Sequence, residues 1–212
     1  MLSASGDSAG RPAGFIPPCV PVLSRSVPEG PEWVYEIKHD GMRLICQRDG
    51  GRVRAFSETG LEWTDRVPLI TAALRSLPMS SVTLDGEGVV VDEQGISDFD
   101  RLRAAFRRNG SREPFLYAFD LLELNGKDIR ARPWQARREA LMWLLRESEP
   151  GIRLCEHFAG AGDTVFRHVC SFGLEGIVAK RHDRPYWSGR CADWVKVKNP
   201  KRRLRPEWVE RP

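Results

Sequence analysis

Turn signals constrain this chain more than any other feature of its sequence. Asp49-Gly50-Gly51, Glu93-Gln94-Gly95 and Asn125-Gly126 stand beside runs rich in β-branched and aromatic residues. Short Gly-containing turns join adjacent antiparallel strands, whereas parallel strands need longer crossovers. Hairpins mixed with helices therefore point to a largely antiparallel α+β architecture rather than strict βαβ alternation. Strands are expected over residues 33–38, 44–48, 52–57, 115–124, 152–157, 176–180 and 194–198, and a further hairpin from 82–84 and 88–91. A helix is expected over 65–77, entered through Thr64 or Asp65 with Pro68 in its first turn. Others should run from a Ser97 cap through Arg108 to a stop at Asn109-Gly110, from Pro133 through Glu147, and near 163–171. The opening 14 residues, rich in Ser, Gly and Ala, read as disordered, and the prolines of 15–21 favour an extended lead-in.

Composition excludes several classes. No stretch approaches the roughly 18 apolar residues of a membrane span, and the opening residues contain no apolar signal region, so a cytoplasmic protein is expected. Five cysteines, far apart and never in a C-x-x-C arrangement, argue against a zinc site or a disulfide framework. Lys plus Arg number 33 against 29 Asp plus Glu, a formal charge of only +4. The placement of the cations says more. Arg101, Arg103, Arg107, Arg108 and Arg112 run with no acid between them, as do Lys196, Lys198, Lys201, Arg202, Arg203 and Arg205. Such runs suit phosphate backbones, although a solvated basic face gives the same pattern.

The chemistry-bearing residues fall into short motifs. In Glu36-Ile37-Lys38-His39-Asp40-Gly41 a strand ends in a turn beside a lysine. A lysine nucleophile must be neutral, yet at an ordinary pKa only ~0.04% of it is so at pH 7, unless burial or a nearby cation shifts the balance. Leu84-Asp85-Gly86-Glu87-Gly88 places two carboxylates on one face of a strand. Glu175-Gly176-Ile177-Val178-Ala179-Lys180 begins with another acid, and such hard oxygen donors suit magnesium or manganese better than zinc. Trp194-Val195-Lys196-Val197-Lys198 alternates, so both ammonium groups emerge on the side of Trp194; a phosphate between them would offset their repulsion.

Taken together and in this order, with Phe119-Asp120-Leu121-Leu122 between the second and third, these motifs resemble the nucleotidyltransferase signature of ATP-dependent DNA ligases. The resemblance runs over residues 15–199 and is nearest to the adenylation domain of bacterial end-joining (ligase D-like) enzymes. It implies an ATP-grasp-like nucleotidyltransferase fold over 15–200, with antiparallel sheets flanked by helices, a disordered tail before it and a short basic tail over 201–212. It also implies that Lys38 attacks the α-phosphate of ATP to form lysyl-AMP, supported by Asp40. Glu36 and the backbone of Ile37 would read adenine, Phe119 would stack on it, and Arg43 would contact the nucleotide or the nick 5′-phosphate. Glu87 and Glu175 would hold Mg2+ or Mn2+, and Lys196 and Lys198 the α-phosphate. Arg101, Arg103, Arg107, Arg108, Lys201, Arg202 and Arg203 become candidate contacts to nicked double-stranded DNA. The implied protein is a monomeric repair ligase of the bacterial nucleoid, served by a Ku-like end-binding partner. An RNA ligase-type nucleotidyltransferase or a nick-binding accessory protein is the alternative.

Two departures from the family pattern stand out. Ser57-Glu58-Thr59-Gly60 has an acid where the family usually has an arginine. About a dozen residues follow Asn199, where ligases continue into an OB domain of about 100 residues or more. Slow self-adenylation, and sealing that is weak or needs a partner supplying that domain's function, are therefore expected.

Overall fold

The hairpin expected around Asp49-Gly50-Gly51 forms between β3 (Met42–Asp49) and β4 (Arg52–Ser57), with Asp49 opposite Arg52. It sits in a computed structural model that describes residues 14–108, 111–147 and 150–202. Residues 1–13, the Asn109-Gly110 stop, Arg203 and Arg205 lie outside the described residues. The remaining strands are β1 (Cys19–Ser24), β2 (Trp33–Ile37), β5 (Ser81–Val89), β6 (Phe115–Leu124), β7 (Lys127–Asp128), β8 (Ile152–Leu154), β9 (His157–Phe158), β10 (Gly176–Arg181) and β11 (Gly189–Lys198). The helices are α1 (Pro68–Ser76), α2 (Phe99–Arg107), α3 (Trp134–Leu145) and α4 (Gly162–Ser171).

Two sheets result. One has the order β1-β11-β10-β2-β9, the other β4-β3-β5-β6-β7 with β8 added beside β6. All pairs are antiparallel except β1 with β11 and β6 with β8. The expected α+β class with antiparallel sheets and flanking helices is what the chain adopts.

Both faces of each sheet are covered, which explains the long apolar runs. In β3, Leu44 and Cys46 join a core with residues of α1, α2 and α3, while Ile45 between them faces a second core. That second core draws Cys19, Val34, Cys191 and Trp194 from one sheet, and Ile45, Phe56, Phe119 and Leu122 from the other. It is the seam that fastens the sheets together. On β11, Val195 and Val197 face a third core with Val169 of α4.

Several boundaries differ from expectation. Residues 82–84 and 88–91 do not form a hairpin; 81–89 is one strand, and the Glu93-Gln94-Gly95 turn makes only an isolated bridge of Val91 to Ser97. Gly86 and Gly88, which suggest a turn, instead admit close neighbours: a Cβ on Gly86 would stand 2.7 Å from the Tyr117 carbonyl oxygen. The expected helix over 65–77 begins only at Pro68, after a 3₁₀ turn at Thr64–Arg66. Asp98, not Ser97, caps α2, through its carboxylate to the Asp100 and Arg101 amides. The single strand expected over 152–157 is split: β8 pairs with β6 and β9 with β2, so this segment crosses between sheets. β1 forms despite Pro21, because an edge strand has one side with no partner to receive its N–H groups.

Candidate active site

The register of β2, β10 and β11 builds the floor of the site. Residues directly opposite in antiparallel strands point to the same side. Glu36 faces Val178, which faces Lys196; Gly176, whose carbonyl accepts from the Lys38 amide at 2.9 Å, faces Lys198. Lys180 faces Trp194 in the row beyond. Period-2 alternation thus places Glu36, Lys38, Lys180, Trp194, Lys196 and Lys198 on one side of the sheet. The other wall comes from β3, β5 and β6, where Arg43 opposes Glu87 and Glu87 opposes Tyr117. Between them lies a cavity of about 400 Å³, lined by Glu36, Ile37, Lys38, Asp40, Arg43, Glu58, Glu87, Phe119, Glu175, Lys196 and Lys198 among others. Its volume lies in the range of small-molecule and cofactor sites.

Lys38 stands half-buried with Nζ 2.8 Å from Glu175 Oε2. Its loop is anchored by the Lys38 amide on Gly176 and by the Asp40 amide, which donates to Ser97 Oγ at 2.9 Å. His39 stacks on Tyr117, with ring centroids 4.1 Å apart, and burial, then the Lys38 charge, push its pKa down to about 4. Burial pushes the Glu87 carboxyl up to about 7; Lys38 and Arg43 oppose that shift and Glu175 and Asp85 add to it. Lys196 is lowered by burial and by repulsion from Lys38 and Lys198, with Glu58 and Glu175 acting the other way. The cavity is thus a place where charges are held close together without full solvation.

Beneath it lie contacts that sequence reasoning did not show, made in part by Lys180 and Tyr186, which it did not assign to the site. Asp85 takes Arg43 bidentately, at 2.5 and 2.7 Å, and accepts from Tyr186 Oη at 2.6 Å. Arg43 therefore lines the cavity with its guanidinium committed to Asp85 and stacked 4.5 Å from the Phe119 ring centroid. Lys180, 1% exposed, sits 2.6 Å from Glu36 Oε2 and over the rings of Phe119 and Trp194 at 4.2 and 3.9 Å. Glu36 Oε1 is buried with no hydrogen-bond partner among the described residues. Phe119 is both core and cavity wall: it is 8% exposed and meets Trp194 edge-on. The strand alternation that placed Lys196 would have placed Lys180 too, since it follows Val178 by two; Asp85 was read as one of two carboxylates but not as the partner of Arg43, and Tyr186 left no signal.

Among the described residues no three His, Cys, Asp or Glu side chains converge as a metal cage. Glu87 and Glu175 nevertheless fit magnesium chemistry, because Mg2+ is usually held by one or two carboxylates together with substrate phosphates and water. Burial disfavours the charged form of Glu87, a cost that a bound cation would offset.

The arginines of α2 lie away from the floor, and neighbouring acids partly engage them. Arg101 is 3.8 Å from both Glu93 and Asp98, Arg103 is 3.8 Å from Asp100, and Arg108 is 3.0 Å from Glu113. Arg107 is exposed near the helix end and Lys201 is exposed after β11. Arg202 turns inward, with Nη2 2.7 Å from Asp40 Oδ2.

Comparison with known proteins fits this geometry. Residues 22–198 match the family model of the ATP dependent DNA ligase domain. The chain is 38% identical over 198 residues to the multifunctional non-homologous end joining protein LigD of Pseudomonas aeruginosa, covering 92% of this chain and 23% of that protein. The crystal structure of the ligase domain from M. tuberculosis LigD superposes with a TM-score of 0.73 at 32% identity, over 86% of this chain and 60% of that one. A mycobacterial DNA ligase D complexed with ATP and MES gives a TM-score of 0.72 at the same 32% identity. The chain thus spans less than a quarter of the Pseudomonas relative's length. With its lysine loop, paired acids and converging ammonium groups on this scaffold, the chain belongs to the family of ATP-dependent DNA ligase domains.

Proposed function

We propose that this domain forms a covalent lysyl-AMP on Lys38 and passes the AMP to the 5′-phosphate of nicked double-stranded DNA for sealing in repair. The observation that carries the reading is Lys38 Nζ, paired at 2.8 Å with Glu175 in a cavity whose floor also bears Lys196 and Lys198. In the first step the neutral Lys38 amine attacks the α-phosphorus of ATP. A P–N bond forms, the bond to the β-phosphate oxygen breaks, and pyrophosphate leaves. A 5′-phosphate oxygen of the nick then displaces Lys38, and the 3′-hydroxyl displaces AMP.

The residues have matching tasks. Lys196 and Lys198 hold the α-phosphate and offset the charge that builds on it. Glu36, fixed by Lys180 through one oxygen, keeps the other as an acceptor for the exocyclic amine of adenine. Phe119 offers the base an aromatic surface, and Asp40 supports the lysine loop. Glu87 and Glu175 would hold Mg2+ or Mn2+, which when bound supplies positive charge favouring the neutral amine and the departing pyrophosphate. The basic side chains of α2 and Lys201 serve the DNA backbone, and the end-joining names of the relatives support a Ku-like partner at broken ends.

Incubation with α-labelled ATP and Mg2+ or Mn2+ tests this directly. Covalent labelling of the protein is expected, and Lys38→Ala should abolish it. No label with any nucleotide, or a label that survives Lys38→Ala, overturns the reading.

A further inference from the structure

The segment after β11 reaches back into the lysine loop. Buried Asn199 donates from its amide to the Glu175 carbonyl at 2.8 Å, and from Nδ2 to the Leu174 carbonyl at 3.0 Å. Asn199 also organises the next turn: its side-chain oxygen accepts from the Lys201 amide at 3.0 Å and its carbonyl from the Arg202 amide at 3.2 Å. That turn aims Arg202 across the gap to the loop bearing Lys38. There Nη2 donates to Asp40 Oδ2 at 2.7 Å while Nη1 reaches the Gly173 carbonyl at 3.4 Å. The pair is mostly sheltered, with side-chain exposures of 20% for Arg202 and 15% for Asp40.

Two ion pairs therefore bridge the same two segments. Lys38 with Glu175 joins the loop to the 173–175 turn directly; Arg202 joins them through one rigid guanidinium that bonds Asp40 on one side and Gly173 on the other. A planar fork is suited to holding two acceptors in fixed relation, and a lysine on its four-carbon stem is not. The cost of a loose loop falls on the chemistry, since misplacement of a reacting group by about 1 Å can cost on the order of 10²-fold in rate.

We propose that Arg202 is a positioning residue, a clamp that holds the 38–40 loop against the 173–175 turn so that the Lys38 amine is presented in line with the α-phosphorus. The proposal rests on the ligase reading above. A single ion pair that keeps some exposure adds modestly to folding stability, so the clamp should show in the rate far more than in the melting temperature.

Single-turnover formation of labelled lysyl-AMP tests it. Arg202→Gln should lower the limiting rate about 10- to 100-fold at saturating ATP, leave half-saturation within about twofold, and shift melting by no more than a few degrees. Arg202→Lys should fall between wild type and the glutamine variant. In an Asp40→Asn background, Arg202→Gln should cost less than about twofold further, because the partner is already gone. An unchanged or faster limiting rate, a loss confined to half-saturation, or losses that multiply independently of Asp40 would overturn the clamp. If Arg202→Gln melts early, Arg202→Lys decides: a limiting rate equal to wild type refutes the proposal. Failure of the wild type to label at all would instead refute the ligase reading.

Discussion

At Glu58 a single charge sets the terms of the cavity. It lines the same space as Lys196 and Lys198, where it favours the protonated state of Lys196 against the effect of burial. An anion there competes with the nucleotide phosphates for those cations. Glu58→Arg should accordingly speed adenylation or nick sealing about fivefold, the effect of roughly 1 kcal/mol. Sealing of a labelled nicked duplex by the two proteins measures it, and an unchanged or lower rate counts against the argument. The same scale shows how burial decides roles. Lys180 is fully enclosed with Glu36, while Lys196 and Lys198, on the same side of the sheet, stay open enough to meet an anion.

Among the elements, β10 is the one on which the site's geometry turns. Gly176 opens it with φ +147, and a Cβ there would stand 2.1 Å from the Val197 carbonyl oxygen. Both that clash and the backbone angle exclude other residues, and Gly176 also accepts the Lys38 amide. Gly176→Ala should therefore lower stability by about 2 kcal/mol. It should also slow adenylation more than Arg202→Gln does, because it displaces Glu175 together with the strand. Thermal melting alongside the labelling rate checks both, and wild-type behaviour in either would contradict the packing argument.

Legibility in the sequence followed the same physics. The alternation of β11 was readable because Val195 and Val197 pack on α4 while Lys196 and Lys198 face a polar cavity, which puts both lysines on the side of Trp194. The lysine loop and the paired acids were readable as motifs. β5 was misread because glycines serve close packing as well as turns, and sequence alone does not distinguish the two uses. The crossing of 152–158 between sheets was hidden because a continuous extended segment gives no sign of changing partners. The Asp85–Arg43–Tyr186 network joins residues far apart in the chain, and nothing local announces such a contact.

Across the whole molecule the net charge of +4 understates the separation of charge within it. The cavity brings Lys38, Lys196 and Lys198 together, whereas Arg101 and Arg103 of α2 and Arg108 just after it are partly matched by Glu93, Asp98, Asp100 and Glu113. Each phosphate contact on duplex DNA releases counterions, with a slope of about 0.9 in log affinity per log salt. Replacing Arg101, Arg103 and Arg107 by Gln should lower that slope by about one to two rather than the full value for three, since Arg101 and Arg103 are already engaged by acids in the free protein. Equilibrium binding to a nicked duplex across a salt series reads the slope, and no change would remove α2 from the DNA surface.

Among the described residues the first strand, β1, lies parallel to the last, β11, with Cys19 opposite Gly189 and Ser24 opposite Val197. As a ribosome extends the chain, β1 emerges early yet has no neighbour to bond until β11 appears, and β10 waits with an open edge for the same strand. Lys196 and Lys198 arrive with it. A nascent domain arrested before that point would hold Lys38 but not Lys196 and Lys198, with strand edges free to pair wrongly. Competence for chemistry is thus gained in one event, when β11 slides between β10, completed seven residues earlier, and β1, made long before both.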